Sequence, residues 1–250
     1  MEPIDVAVVT ALPQEAAPML DQLQLTATDL GALPGNGGGC YRGISSEGLA
    51  VAVVITGAGR ASAAEGMALF WARFRPRLVI AGGIAGGMSP SVGVGDVVVA
   101  TETVCYDEDA TALKMPLGTL RRERAAIARA TAPAHLRDAA IRIARRHGRE
   151  MHQGRIASGD TLLTRHTLST LPENRRRLIH GAVAVDMESS VWVSFAERGQ
   201  APIVLVRFIS DHVVGGERLG FVHACETSGT LILDLLRSCR TGPDGAIVMQ

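Results

Sequence analysis

Six short apolar runs, rich in Val and Ile and closed by glycine, proline or charge, limit what this chain can become: Val6–Leu12, Ala50–Thr56, Leu78–Ala81, Asp96–Thr103, Ala182–Asp186 and Ile203–Ile209. Runs of that length and composition read as strands, and their continuous apolarity predicts cover on both faces. Between them lie helix-like stretches, notably Ala61–Phe74, Leu136–His147, Ser189–Arg198 and Glu226–Leu236. Ala64, Met67, Ala68 and Trp71 share one helical face, which predicts packing on the sheet. Strands alternating with helices predict an α/β fold: a single domain over residues 1–250, with a mixed, mostly parallel central sheet flanked by helices on both sides. Such sheets bind ligands at the carboxyl ends of their strands. Gly31–Gly39 reads as a flexible loop, and Tyr106–Arg124, with mixed polarity and no clean period, as a lid, a subunit contact or a long surface loop.

Charge excludes several functions. Lys plus Arg and Asp plus Glu each number 25, so no net field draws the chain to nucleic acid or an anionic membrane, and a small neutral or zwitterionic ligand fits better. The arginine-dense stretches at 121–124 and 175–177 sit in helix-like contexts and read as solvated faces. Cys40, Cys105, Cys225 and Cys239 form no CxxC pair, and the histidines have no ligand spacing, so reduced thiols and the absence of a protein-bound metal or other cofactor are expected. With neither a signal-peptide pattern at the start nor an apolar run long enough to span a bilayer, membrane insertion is not expected and the cytoplasm is.

The polar punctuation at the strand ends carries the chemistry. Glu15, after Leu12-Pro13-Gln14, opens a helix, where a carboxylate complements the dipole even without a catalytic role. Thr56-Gly57-Ala58-Gly59-Arg60-Ala61-Ser62 is a glycine turn feeding a helix, able to hold an anion or a hydroxyl, so Gly57, Gly59 and Arg60 are candidates for phosphate binding. A nicotinamide cofactor is disfavoured, because Ser62 takes the third small position and the next strand ends in Gly82-Gly83 instead of a ribose-binding acid. The most specific pair comes late: Val185-Asp186-Met187-Glu188 and Arg207-Phe208-Ile209-Ser210-Asp211 drive buried strands into ionisable groups. Burying such groups is costly unless they are paired, so they mark either a site or a structural ion pair such as Asp186 with Arg207.

Together with Gly82-Gly83-Ile84-Ala85-Gly86-Gly87, Val94-Gly95-Asp96-Val97-Val98-Val99, Asp107-Glu108-Asp109-Ala110-Thr111-Ala112 and Ser158-Gly159-Asp160, these motifs resemble, in order, the nucleoside phosphorylase superfamily. The closest resemblance is to its branch of methylthioadenosine/S-adenosylhomocysteine nucleosidases, over roughly residues 4 to 240. It implies cleavage of the N-glycosidic bond of a 5′-substituted adenosine by water. Asp211 would be the acid that protonates the departing purine, oriented by Ser210, and Glu15 with Arg207 would activate the water. Glu188 would hold the ribose hydroxyls and stabilise the growing positive charge, with Met187 against the sugar. Backbone around Leu162 and Leu163 would hold the base, and Gly83, Ile84 and Asp186 would complete the substrate contacts.

The chain departs from that pattern at three places. Ile84 stands where the nucleosidases usually have Ser or Thr, and no stacking aromatic is found near Leu162. Asp186 stands in place of their usual Glu and resembles some phosphorylases, including the hopanoid-associated branch acting on adenosylhopane, so an apolar 5′ substituent is compatible. Two alternatives therefore stay open: phosphorolysis with inorganic phosphate as co-substrate, clamped by Arg60 or Arg207, and a non-catalytic nucleoside sensor. The resemblance also implies a homodimer in which a neighbour's residues 104–112 reach the 5′ side of the pocket.

Overall fold

The computed structural model describes residues 1–28, 30, 37–118, 127–129 and 132–250. Most of the Gly31–Gly39 loop and the end of the Tyr106–Arg124 segment lie outside the described residues. The chain opens with β1 (Glu2–Thr10), α1 (Pro13–Gln22), β2 (Thr26–Ala27), β3 (Gly39–Ile44) and β4 (Ala50–Ile55). It continues through α2 (Arg60–Arg73), β5 (Phe74–Gly87), β6 (Val97–Cys105), β7 (Ile127–Arg129), α3 (Ala134–Arg146) and β8 (Met151–Ser158). Then come α4 (Arg165–Thr170), α5 (Glu173–Ile179), β9 (Ala182–Asp186), α6 (Ser189–Arg198), β10 (Ile203–His212) and α7 (Phe221–Arg237), with a short hairpin of β11 (Cys239–Thr241) and β12 (Ile247–Met249).

Among the described residues, ten strands form one mixed sheet, β1 pairing in parallel with both β4 and β5, and β5 in parallel with β10. Along β1, Val6 and Val8 enter the core beneath α1, α3 and α7, while Ile4, Ala7 and Val9 enter the one beneath α2 and α6. This double cover is why the strand reads as an unbroken apolar run, each buried Val contributing roughly 1.5–3 kcal/mol. The face of α2 is set one position from the expected one: Ala63, Gly66, Met67, Phe70 and Trp71 are buried, whereas Ala68 is exposed.

The third run is much longer than expected. Strand β5 continues through Gly82-Gly83-Ile84-Ala85-Gly86-Gly87, so this motif is strand and not the turn after it. The extension pairs with β10 on one side and with β9 at Gly86 and Gly87 on the other. Since β10 pairs with β6, β6 with β8 and β8 with β9, the five strands close into a ring. Closure brings the ends of β5, β8, β9 and β10 together, with the start of α6 among them, and that is where the ionisable residues lie.

Candidate active site

Arg207 is the centre of the site. It lies on β10 opposite Gly83 of β5, fully buried. Its Nε donates to Asp186 Oδ2 at 2.8 Å and its Nη2 stands 2.7 Å from the same oxygen and 3.3 Å from Glu188 Oε2. Burial alone pulls the guanidinium pKa down, but Asp186, Glu188 and Glu15 outweigh it, so Arg207 stays charged. Asp186, at the end of β9, spends its carboxylate inside the protein: Ser158 and Ser189 donate their hydroxyls to it, and the Ser189 N–H donates at 3.2 Å. As a candidate for substrate contact, it has its carboxylate turned to the protein itself. Its oxygens are already engaged, and the structural ion pair with Arg207 is present.

Glu188 is the N-cap of α6, buried to 5% exposure, and accepts the Gly59 N–H at 2.9 Å. Burial, opposed by Arg207 and reinforced by Asp186, raises its pKa to about 7. Glu15, at 1% exposure, lies on the first turn of α1. Its Oε2 accepts the N–H groups of Ala11 and Leu12 at 3.0 and 2.9 Å, and its Oε1 accepts that of Ile84 at 2.9 Å. Burial raises its pKa too, partly offset by Arg207 and these amides. Capping at the helix start accounts for the contacts to Ala11 and Leu12, and the third contact reaches across to β5.

Gly83 explains how Glu15 and Arg207 come so close. Its φ is +151°, and a Cβ there would be in hard contact with Glu15 Oε1 and 2.7 Å from Arg207 Nη1. It is a notch for two charged groups. Ile84 works through its backbone, donating its N–H to Glu15 and offering its carbonyl to Arg207 Nη1 at 3.4 Å, while its side chain packs on the core.

The candidates for phosphate binding, Gly57, Gly59 and Arg60, are engaged within the protein. The Gly59 N–H is taken by Glu188, and the Arg60 N–H donates to Asp160 at 2.7 Å. The Arg60 guanidinium is paired with Asp107, at 2.5 Å, and with Glu108. The helix start that would cradle a phosphate is ringed by carboxylates instead, which repel an anion. Gly57 donates its N–H to the Ala11 carbonyl at 3.0 Å, tying β1 to the turn.

Asp211 stands apart from this cluster, near the end of β10. A bulge between Ile209 and Asp211 re-aims it, since unbroken alternation would put it on the same face as Arg207. Its Oδ1 lies 2.7 Å from the Ser210 hydroxyl, which donates to it, and the carboxyl is half-buried. The next residue, His212, holds the surrounding loops: its Nδ1 accepts the Gly215 N–H at 2.9 Å, which leaves Nε2 to donate to the Ser89 carbonyl at 3.1 Å. Met187 is half-buried between Asp186 and Glu188. Leu162 is 70% exposed, whereas Leu163 is 4% exposed and its side chain belongs to the core. Arg165 donates to the Val214 carbonyl at 2.9 Å, linking the loop after β8 to the loop after β10.

A family model of the phosphorylase superfamily matches residues 5–236. The chain belongs to the phosphorylase superfamily. Within it, the chain is 28% identical over 240 residues to a 5′-methylthioadenosine/S-adenosylhomocysteine nucleosidase of Haemophilus ducreyi, covering 94% of this chain and 98% of the relative. It is 31% identical to the nucleosidase of the same name from Actinobacillus succinogenes, over 76% of this chain and 81% of that one. The fold superposes with a TM-score of 0.79 on the Neisseria meningitidis nucleosidase bound to methylthio-immucillin-A, at 26% identity, covering 95% of this chain and all of the other.

Against this superfamily frame, Glu15, Asp186, Glu188 and Arg207 are brought into one cluster, and Asp211 with Ser210 forms a second station along the same strand. Sequence reasoning gave no role to Ser158, quoted only within a motif, nor to Ser189 and Trp192, and these three surround Asp186 and Arg207. Ser189 could have been suspected as a hydroxyl next to two strand-end carboxylates; Trp192 gave no signal. Among the described residues, no group of three or more His, Cys, Asp or Glu is placed to hold a metal ion, and no helix is long and apolar enough to cross a membrane.

Proposed function

We propose that this protein is a hydrolytic purine nucleosidase that releases adenine from 5′-substituted adenosines of the methylthioadenosine and S-adenosylhomocysteine type. The observation that carries this reading is a fully buried carboxylate, Glu15, held beside Arg207 across Gly83, while Arg60 is already neutralised by Asp107 and Glu108. That arrangement provides a base for water and no spare cation there for phosphate. Burial raises the Glu15 pKa, which makes its carboxylate a stronger base, and Arg207 opposes that rise.

In the reaction, the bond between the sugar's anomeric carbon and the purine nitrogen stretches first, and positive charge grows on the ribose. Glu188 accepts hydrogen bonds from the ribose hydroxyls and opposes that charge at short range. Asp211 gives its proton to a ring nitrogen, so the purine leaves neutral, and Ser210 keeps the carboxyl aimed. Water adds to the anomeric carbon and loses its proton to Glu15, with Arg207 Nη1 as the donor that holds it. The bulge at Ser210 supports this division, because it turns Asp211 off the strand face that carries Arg207. We also infer a homodimer whose partner supplies the 104–112 stretch to the 5′ side; sedimentation at micromolar concentration should give twice the mass of 26.3 kDa.

The test is release of adenine from methylthioadenosine with and without inorganic phosphate, with mass detection of the sugar. Equal rates and a free 5-methylthioribose product are expected. A phosphate requirement and a sugar 1-phosphate product would overturn hydrolysis, and no release from any 5′-substituted adenosine would overturn the enzyme reading.

A further inference from the structure

One aromatic residue touches the central arginine, and the reaction as described does not use it. Trp192 lies on α6, four residues after Glu188, and its N–H donates to the Glu188 carbonyl at 3.2 Å. Its ring is fully buried, and the Arg207 guanidinium carbon stands 4.6 Å from the ring centroid. Helix α6 thus presents three consecutive layers to Arg207: the Glu188 carboxylate, the Ser189 hydroxyl at 3.0 Å, and the indole face. The indole N–H has no acceptor among the described residues. A core chosen for stability alone would favour a ring without that buried donor, whereas indole has the strongest π face for holding a cation.

We propose that Trp192 is a positioning residue: its indole face fixes the plane of the Arg207 guanidinium, so that Nη1 stays aimed at Glu15 and at the water between them. This rests on the nucleosidase reading. The Asp186 contacts grip Arg207 through Nε and Nη2 only, and Nη1 has just the long contact to the Ile84 carbonyl, so in-plane bonds alone leave the guanidinium free to tilt about that edge. The indole removes that freedom. The charged groups facing Arg207 are Asp186, Glu188 and Glu15; the first two are ion-paired to it through Nη2, so a tilt about that edge would move Nη1 relative to Glu15.

The experiment measures kcat and KM for methylthioadenosine across the acid and neutral pH range, with unfolding midpoints, for the parent, Trp192→Phe and Trp192→Leu. Losing a buried cation–π contact predicts a kcat lower by about tenfold in Trp192→Leu, an acid limb displaced to higher pH as Glu15 loses support, and KM unchanged within about twofold. Trp192→Phe, which keeps a ring and removes the unpaired N–H, should be at least as stable as the parent yet slower by about threefold. That combination does not arise from packing alone. If Trp192→Leu does not fold, the phenylalanine variant decides alone: unchanged kcat and an unmoved acid limb overturn the proposal, as does a loss of kcat that only tracks a loss of stability.

A separate readout keeps the two readings apart. With Trp71→Phe as background, Trp192 is the only tryptophan, and Arg207→Lys, which replaces the planar guanidinium stacked on the ring by a compact ammonium on a flexible stem, should shift its emission. An inactive parent with this shift would sink the nucleosidase reading and keep the platform; an active parent without it would sink the platform.

Discussion

The two ends of the proposed site, one assigned to the sugar and one to the base, are built differently. At the sugar end, Glu15, Asp186, Glu188 and Arg207 are all at 7% exposure or less, and their partners come from β5, β9, α6 and the β4–α2 turn. At the base end, Asp211 is half-buried, Leu162 is 70% exposed, and the surroundings are two loops joined by Arg165 and Val214. Charges at the sugar end can be held only where the core over-determines them, because an unpaired buried charge would cost several kcal/mol. Recognition of the base needs a ligand to enter and leave, which requires loops. On the proposed reading, chemistry is fixed by the core and selectivity is left to the rim.

The sharpest way to break that contrast is to remove one acid from each end. Glu15→Gln and Asp211→Asn should each lower kcat by about 10²- to 10⁴-fold, as expected for a lost general base or acid. They should differ in two other respects. Asp211→Asn should keep its unfolding midpoint, whereas the amide of Glu15→Gln must turn an N–H toward the Ala11, Leu12 or Ile84 amides, at a cost of about 1–3 kcal/mol. A ribosyl substrate whose leaving group needs no protonation should restore turnover in Asp211→Asn and not in Glu15→Gln. Rescue of both, or of neither, would mean that the two ends do not divide acid and base.

Glu188 gives a second test, of the claim that the core holds charge under strain. Its pKa rises from the usual 4.5 to about 7 on folding, so the folded state binds the proton more tightly than the unfolded chain does. The contribution to stability is therefore complete below about pH 4.5 and is lost as pH rises to about 7, a change on the order of 3 kcal/mol. Glu188→Gln should flatten the parent's decline over that window in urea unfolding at a series of pH values. Parallel curves for the two proteins would show that Glu188 is not held against its charge.

Much of this contrast was legible in the sequence, and unevenly. The runs 182–186 and 189–198 match the observed β9 and α6 to the residue, because a charged or glycine boundary stood at each end. The clustering of Glu15, Glu188 and Arg207 was also legible, since strand-end ionisable groups have few other places to go. The ring closure was not: it depends on β5 running through Gly82–Gly87, and glycines in sequence read as a turn. Nor was the fate of Arg60, whose partners Asp107, Glu108 and Asp160 lie 47 to 100 residues away and are joined to it by tertiary packing alone. Leu162 and Leu163 look identical in sequence, and only the loop's direction tells the rim residue from the core one.

That last pair allows the smallest and most local test. Leu163 lies in the same cluster as Tyr106, Ala157 and Val185, so Leu163→Ala should cost about 2–5 kcal/mol of stability, with KM altered only as far as the loop shifts. Leu162 contributes little to the fold, and its alanine variant should unfold within about 0.5 kcal/mol of the parent. Its effect should appear in KM, by no more than about threefold, because an exposed side chain that a ligand covers on one side buries only part of its apolar area. Leu162→Phe should lower KM by a similar factor, by giving the purine a flat surface that the parent lacks. A change in kcat in either Leu162 variant would contradict the separation of rim from core, for it would mean that a side chain in solvent helps to place the charges buried behind it.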